Sequence, residues 1–319
     1  MADPAPAFPL DLLAPPDPAR LPLPPAAHPD AGVRLLRGAV YAVPEGSRPL
    51  EADLWLPAEP SGPLPVVVFV HGGAWRTGLR DDPGPRYRHW SPGPFTRLVR
   101  AGFAVVCPDY RLSGEAPFPA PLDDLHSVLA WLHTRSAELG LDTGRTVLWG
   151  ESAGGHLAAL TALTAPAGPR TATVRGCAVW YAPSDLTRLA EDHPAGAHDP
   201  ADASSFEALL IGAALTAAPE RARAASPVSR VTATAPPFLV QHGTADTIVP
   251  FAQGERLVRA LREAGGRAEF RPVEGGGHLW VGLSDEEVEN CFSATLDFAS
   301  RAAGGLIPAS AVLSRPRGA

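Results

Sequence analysis

The chain has 319 residues, 45% of them hydrophobic and 19% charged, with a formal net charge of −7. That composition excludes global disorder, leaves material for a large core, and argues against a nucleic-acid or anionic-membrane surface. Every basic residue is arginine, which points to a GC-rich coding genome and says nothing of chemistry.

The N-terminus has no basic stretch followed by an apolar run, and no apolar run reaches the roughly 18 residues of a membrane span. The expectation is a cytoplasmic protein without a signal peptide. Cys107, Cys177 and Cys291 are odd in number and far apart, with neither metal-ligand spacing nor an even disulfide framework, so they are expected as buried free thiols.

In chain order, residues 1–30 are proline-dense and form an arm, either disordered or extended over the body. Residues 31–303 form the α/β domain, and 304–319 a tail that begins at Gly304-Gly305. Val33–Val43 and Leu50–Leu56 alternate polar with apolar and predict an antiparallel pair at a sheet edge. Pro65–Val70, Phe103–Cys107 and Thr146–Trp149 are short apolar runs, as expected for strands buried on both faces. Leucines at helical spacing predict a crossover helix over Pro121–Leu139. Gly176–Tyr181, Phe238–Gln241 and Ala268–Val273 supply three more strands, and helices are expected at about 251–264 and 285–302. The succession predicts a mostly parallel sheet with helices on both faces. Residues 184–229 break the rhythm and are read as an insertion above the carboxyl ends of the strands, a lid or pocket wall.

The first chemical signal is Gly150-Glu151-Ser152-Ala153-Gly154, placed between a buried strand and a helix start. A serine on such a turn is strained and exposed at the top of the sheet, beside the positive end of a helix. It needs a base, and the base needs an orienting acid; on this fold they follow in the order acid, then histidine. Asp246 lies just past the strand Phe238–Gln241, and His278 sits in the glycine loop after Ala268–Val273. Asp185 is the rival acid. His71-Gly72-Gly73-Ala74-Trp75 follows the most apolar strand, and its glycines let backbone amides turn toward a developing negative charge. The N–H groups of Gly73, Ala74 and Ala153 are assigned to that oxyanion hole, with His71 as a structural anchor.

Together His71–Trp75, Asp109-Tyr-Arg-Leu112, Pro117-Phe-Pro-Ala-Pro-Leu-Asp-Asp124 and Gly150-Glu-Ser-Ala-Gly-Gly-His156 resemble the hormone-sensitive-lipase-like esterases of the α/β-hydrolase fold, over about residues 60–300. The resemblance implies carboxylesterase activity on short acyl chains, without metal or cofactor, and the same oxyanion assignment for Gly73 and Ala74. Two departures leave the substrate open. Those esterases usually carry a third glycine where this chain has Ala74, and H-G-G-x-W also resembles kynurenine formamidases. Asp246-Thr-Ile-Val-Pro resembles bacterial feruloyl-esterase-like and dienelactone-hydrolase-like members.

The expected partner is therefore a small ester or N-formyl substrate, with no nucleic acid and no membrane; the oligomeric state has no signal. A non-catalytic binding protein on the same scaffold is the rival from another class, and it requires the loss of a triad member. Trp75 and Trp280 flank the oxyanion and histidine loops, where each fits a substrate pocket or the core equally well. His193 and His198, with Asp192 and Asp199, lack zinc-ligand spacing and read as a solvated loop. Arg111 and Asp124 are expected as a structural ion pair.

Overall fold

Side-chain pattern divides the strands into two kinds in the computed structural model, which describes residues 15–165, 168 and 170–305. β1 (Ala26–Ala27), β2 (Val33–Ala42) and β3 (Leu50–Pro57) form the antiparallel edge, and β2 and β3 bury mainly alternate residues. β1 is confined to two residues because prolines 24, 25 and 29 bracket it and cannot donate to a ladder. β4 (Leu64–Val70) and β5 (Ala104–Pro108) are buried at every position, as strands covered on both faces must be. β6 (Leu141–Glu151), β7 (Val174–Trp180), β8 (Phe238–Gly243) and β9 (Ala268–Val273) complete one nine-stranded sheet of order β1-β2-β3-β5-β4-β6-β7-β8-β9. From β5 to β9 every pairing is parallel, so the carboxyl ends of six strands share one edge.

Helices cover both faces. α1 (Pro94–Arg100) lies on one face. α2 (Ala120–Thr134), the single turn α3 (Ser136–Leu139) and α4 (Ser152–Thr164) follow. Among the described residues, Leu125, Leu129 and Leu157 join one apolar cluster, and Leu98 joins a second on the opposite face. The expected crossover helix is broken at Arg135, where the Ser136 hydroxyl takes the His133 carbonyl at 2.8 Å and competes with the helical bond. Arg135 turns outward to the carbonyls of Pro18 and Leu21, and Trp131 donates to Pro18, so the described part of the arm runs over α2. Residues 1–14 of the arm and 306–319 of the tail lie outside the described residues.

The stretch 184–229 holds three short helices, α5 (Leu189–Asp192), α6 (Phe206–Ile211) and α7 (Pro219–Ala224), and then a 3-10 turn. It is tied down at its base: Val228 N–H donates to Ser184 O at 3.1 Å, and Leu186 N–H to Ser226 Oγ at 2.9 Å. α8 (Phe251–Glu263) and α9 (Asp285–Ala302) close the chain, the latter started by a reciprocal cap between Ser284 and Glu287. Leu257 of α8 joins the cluster of α2 and α4, whereas Phe292 and Leu296 of α9 join that of α1. The three cysteines are buried and free.

Candidate active site

The turn from β6 into α4 is built by exclusion. A methyl group on Gly150 would lie 2.4 Å from the Gly154 carbonyl, and one on Gly154 would lie 2.1 Å from the Val70 carbonyl. Only glycine lets the helix start so close to its own strand and to the end of β4. The chain between them is forced to turn at Ser152, which adopts φ 50° and stays 9% exposed. A non-glycine residue in that region stores strain, the backbone signature of a nucleophile elbow.

Two further loops converge on this serine. Ser152 Oγ lies 3.0 Å from His278 Nε2, and His278 Nδ1 lies 2.8 Å from Asp246 Oδ2. The second oxygen of Asp246 accepts the amides of Ile248 and Val249, each at 2.9 Å, and its side chain has no exposure. A carboxylate that accepts at both oxygens places the imidazole proton on Nδ1 and leaves Nε2 to accept the serine hydroxyl. β9 is separated from β6 by two strands at about 4.8 Å spacing, so the histidine loop has to reach back across the sheet edge. It does so over Gly243, where a methyl group would meet the Gly276 carbonyl at 2.0 Å, and Ala245 N–H donates to that carbonyl at 3.0 Å. Asp185 is not part of this chain. Its carboxylate takes the amide and hydroxyl of Thr187 at 3.1 and 2.6 Å and lies near Arg256.

The loop after β4 bends back at Gly73 and Ala74, with φ of 109° and 54°. Among the described residues, neither N–H donates to a protein acceptor. Ala153, second in α4, has no intrahelical acceptor either. His71 is the anchor expected: it stacks on Tyr110 at 4.5 Å, its Nδ1 meets Gly72 O at 2.7 Å, and burial lowers its proton affinity. Arg111 and Asp124 pair at 2.7 Å.

The two tryptophans need correction. Trp75 is 2% exposed and Trp280 is fully buried, so both belong to the core and neither opens onto a pocket. The positive φ at Trp75 turns its indole beneath the loop toward α4, where His156 accepts its N–H. Trp280 is packed between Trp180 and Tyr181 at 5.6 and 4.6 Å. His193 and His198 stack at 5.3 Å, and among the described residues no group of three or more acidic, histidine or cysteine side chains is arranged to hold a metal. No helix among them is long and apolar enough to cross a membrane.

Neither Glu151 nor Tyr181 stands out in the sequence as a residue of the site. Glu151 looked like the variable position of the motif, yet it is buried beside the serine and accepts the Tyr181 hydroxyl at 2.6 Å. Burial pushes its carboxyl up to about 7, with Tyr181 and His278 pulling the other way. The available signal was a carboxylate ending an apolar run.

The sheet order, the elbow and the loop sequence define an α/β-hydrolase. Within that fold the chain belongs to the BD-FAE family, whose model matches residues 52–261. It is similar to Esterase LipC of Mycobacterium tuberculosis, 31% identical over 237 residues that cover 71% of this chain and 56% of that protein. The chain spans about half the length of the curated relatives it matches. Among solved structures it resembles a truncated carbohydrate esterase from gut microbiota, with TM-score 0.71 and 25% identity over 84% of this chain and 96% of that one. It also resembles the esterase Est2 of Thermogutta terrifontis, with TM-score 0.66 and 25% identity over 87% and 94%. Est2 has been solved with propionate and with butyrate bound.

Proposed function

We propose that the protein is a serine carboxylic-ester hydrolase acting on short-acyl esters. The observation that carries this reading is the continuous hydrogen-bonded chain Ser152–His278–Asp246, at 3.0 and 2.8 Å, beside the unpartnered amides of Gly73 and Ala74. Ser152 Oγ attacks the ester carbonyl while His278 Nε2 takes its proton. Asp246 holds the tautomer and stabilises the imidazolium. The amides of Gly73, Ala74 and Ala153 bind the oxyanion, each worth about 2.7–4 kcal/mol in sites of this type. His278 then protonates the leaving alcohol, and water, deprotonated by the same imidazole, releases the acid from the acyl-enzyme.

Support for short acyl groups comes from the low exposure of the serine, 9%, and from the propionate and butyrate bound by Est2. The formamidase alternative rests on the pentapeptide His71–Trp75. With the indole buried beneath the loop, the site geometry gives it no particular support.

A panel of nitrophenyl esters from acetyl to octanoyl, run beside N-formylkynurenine, tests the reading. The expected result is the highest kcat/KM from acetyl to butyryl and a steep fall by octanoyl. Activity flat or rising with chain length overturns the short-acyl reading. Hydrolysis of N-formylkynurenine faster than all esters by about two orders of magnitude or more overturns the choice of substrate class.

A further inference from the structure

Glu151 immediately precedes Ser152 and is 5% exposed. Its Oε2 accepts the Tyr181 hydroxyl at 2.6 Å. A methyl group on Gly72 would lie 3.0 Å from Oε1, and one on Gly84 would lie 3.0 Å from Oε2. One carboxylate is therefore clamped between the loop that bears Gly73 and Ala74, the end of β7, and the segment that covers them. Tyr181 is itself held at φ 35°, a conformation that the surroundings have to enforce. Its ring meets the imidazole of His278 at 4.9 Å, inclined by 63°, and its N–H donates to Gln241 O at 2.8 Å.

A hydrophobic side chain would fill this space without the cost of burying a charge. We propose that Glu151 is a positioning residue: through Tyr181 it fixes the plane of the His278 imidazole, through contact with Gly72 it steadies the loop of free amides, and its negative charge favours the imidazolium. This rests on the reading of His278 as the base.

Beside the Tyr181 hydroxyl that it accepts, the titratable and charged groups coupled to the carboxylate are Tyr87, Tyr110, the Asp82–Arg88 pair on the covering segment, and His278. Burial is the largest influence and pushes the carboxyl up to about 7, so it discharges in the neutral range. Discharge weakens its hold on Tyr181 and removes its attraction for the imidazolium. The acid limb of activity then reports two coupled ionisations.

Two substitutions separate charge from bond. Glu151→Gln keeps the shape without the charge, and Tyr181→Phe keeps the charge without the hydroxyl. The readouts are the NMR titration of the His278 imidazole and the pH dependence of kcat/KM for a nitrophenyl acetate. In Glu151→Gln the imidazole midpoint is expected to move down by about one unit, the lower end of the effect of a nearby opposite charge. The acid limb should shift the same way and change from steeper than one proton to a single-proton slope. Tyr181→Phe should lower kcat about tenfold at unchanged KM, as loss of orientation does, and keep the steep limb. An unshifted imidazole in folded Glu151→Gln overturns the proposal. Should that variant not fold, a single-proton limb in the unaltered protein, or wild-type kcat in Tyr181→Phe, overturns it instead. The NMR arm needs no turnover: a shifted imidazole in a chain that cleaves no ester keeps the positioning role and rejects the esterase, and turnover with no shift does the reverse.

Discussion

Trp75 donates its indole N–H to Nδ1 of His156 at 3.2 Å, while His156 Nε2 lies 2.6 Å from the carbonyl of Ala225. His156 is therefore the neutral tautomer with its proton on Nε2, donating into the 184–229 stretch and accepting from the loop after β4. One imidazole ties the loop of free amides to the 184–229 stretch, and Trp75 belongs to this tie.

Trp75→Ala should accordingly lower stability by about 3–5 kcal/mol, as large-to-small core substitutions of this size do. The ratio of butyryl to acetyl ester turnover should stay unchanged. Denaturant unfolding and kcat/KM on the two esters check both halves. A changed ratio at full stability would place the indole against the acyl group.

Ser152→Ala should keep the fold and abolish turnover. Circular dichroism checks the first and nitrophenyl acetate hydrolysis the second. Retention of more than about a hundredth of the wild-type kcat in a folded variant would remove the serine from the mechanism.

Asp246→Asn should lower kcat by about two orders of magnitude or more, because the amide favours the wrong imidazole tautomer. Asp185→Asn should leave kcat near wild type, since that carboxylate is engaged by Thr187. Steady-state kinetics of the two variants side by side decide it, and a reversal of the effects would move the acid to the earlier loop.

Acid should destabilise the fold through its buried histidines. Burial lowers His156 and His242 to about 4, below the unfolded value near 6.5. Between these values the unfolded chain binds more protons, so their contribution is full above about 6.5 and is lost as pH falls toward 4. Glu151, raised to about 7, opposes this with one proton over the same interval. His71 and His126, lowered by burial as well, add to these two histidines, and Asp124, raised by burial, adds to Glu151; the histidines remain the majority, so stability rises with pH across this interval. Urea unfolding from pH 4 to 7 measures the slope, and His156→Phe, less stable throughout, should flatten it by about one proton.

Much of this architecture was legible locally. Apolar runs such as Val66–Val70 announce strands covered on both faces, because only such strands dispense with alternation. The spacing of Gly150, Ser152 and Gly154 announces the turn, because the contacts at 2.4 and 2.1 Å forbid any other residue at its flanks. Asp246 and His278 follow from strand order, since residues just past parallel strands share one edge. The packing of the arm over α2 was not legible, because the Arg135 guanidinium answers to carbonyls more than a hundred residues earlier.

What the sequence by itself determined, then, is which loops meet: local steric rules and strand order place a serine, an acid and a histidine at one edge. Only the tertiary structure decided where side chains of ambiguous character point. Trp75 is neither pocket nor core until α4 brings His156 beneath it, 81 residues along the chain. Glu151 is a spacer in a motif until Tyr181, 30 residues on, lends it a hydroxyl. Burial and proton affinity are properties of the assembled surroundings, and those surroundings come from segments that no local pattern joins.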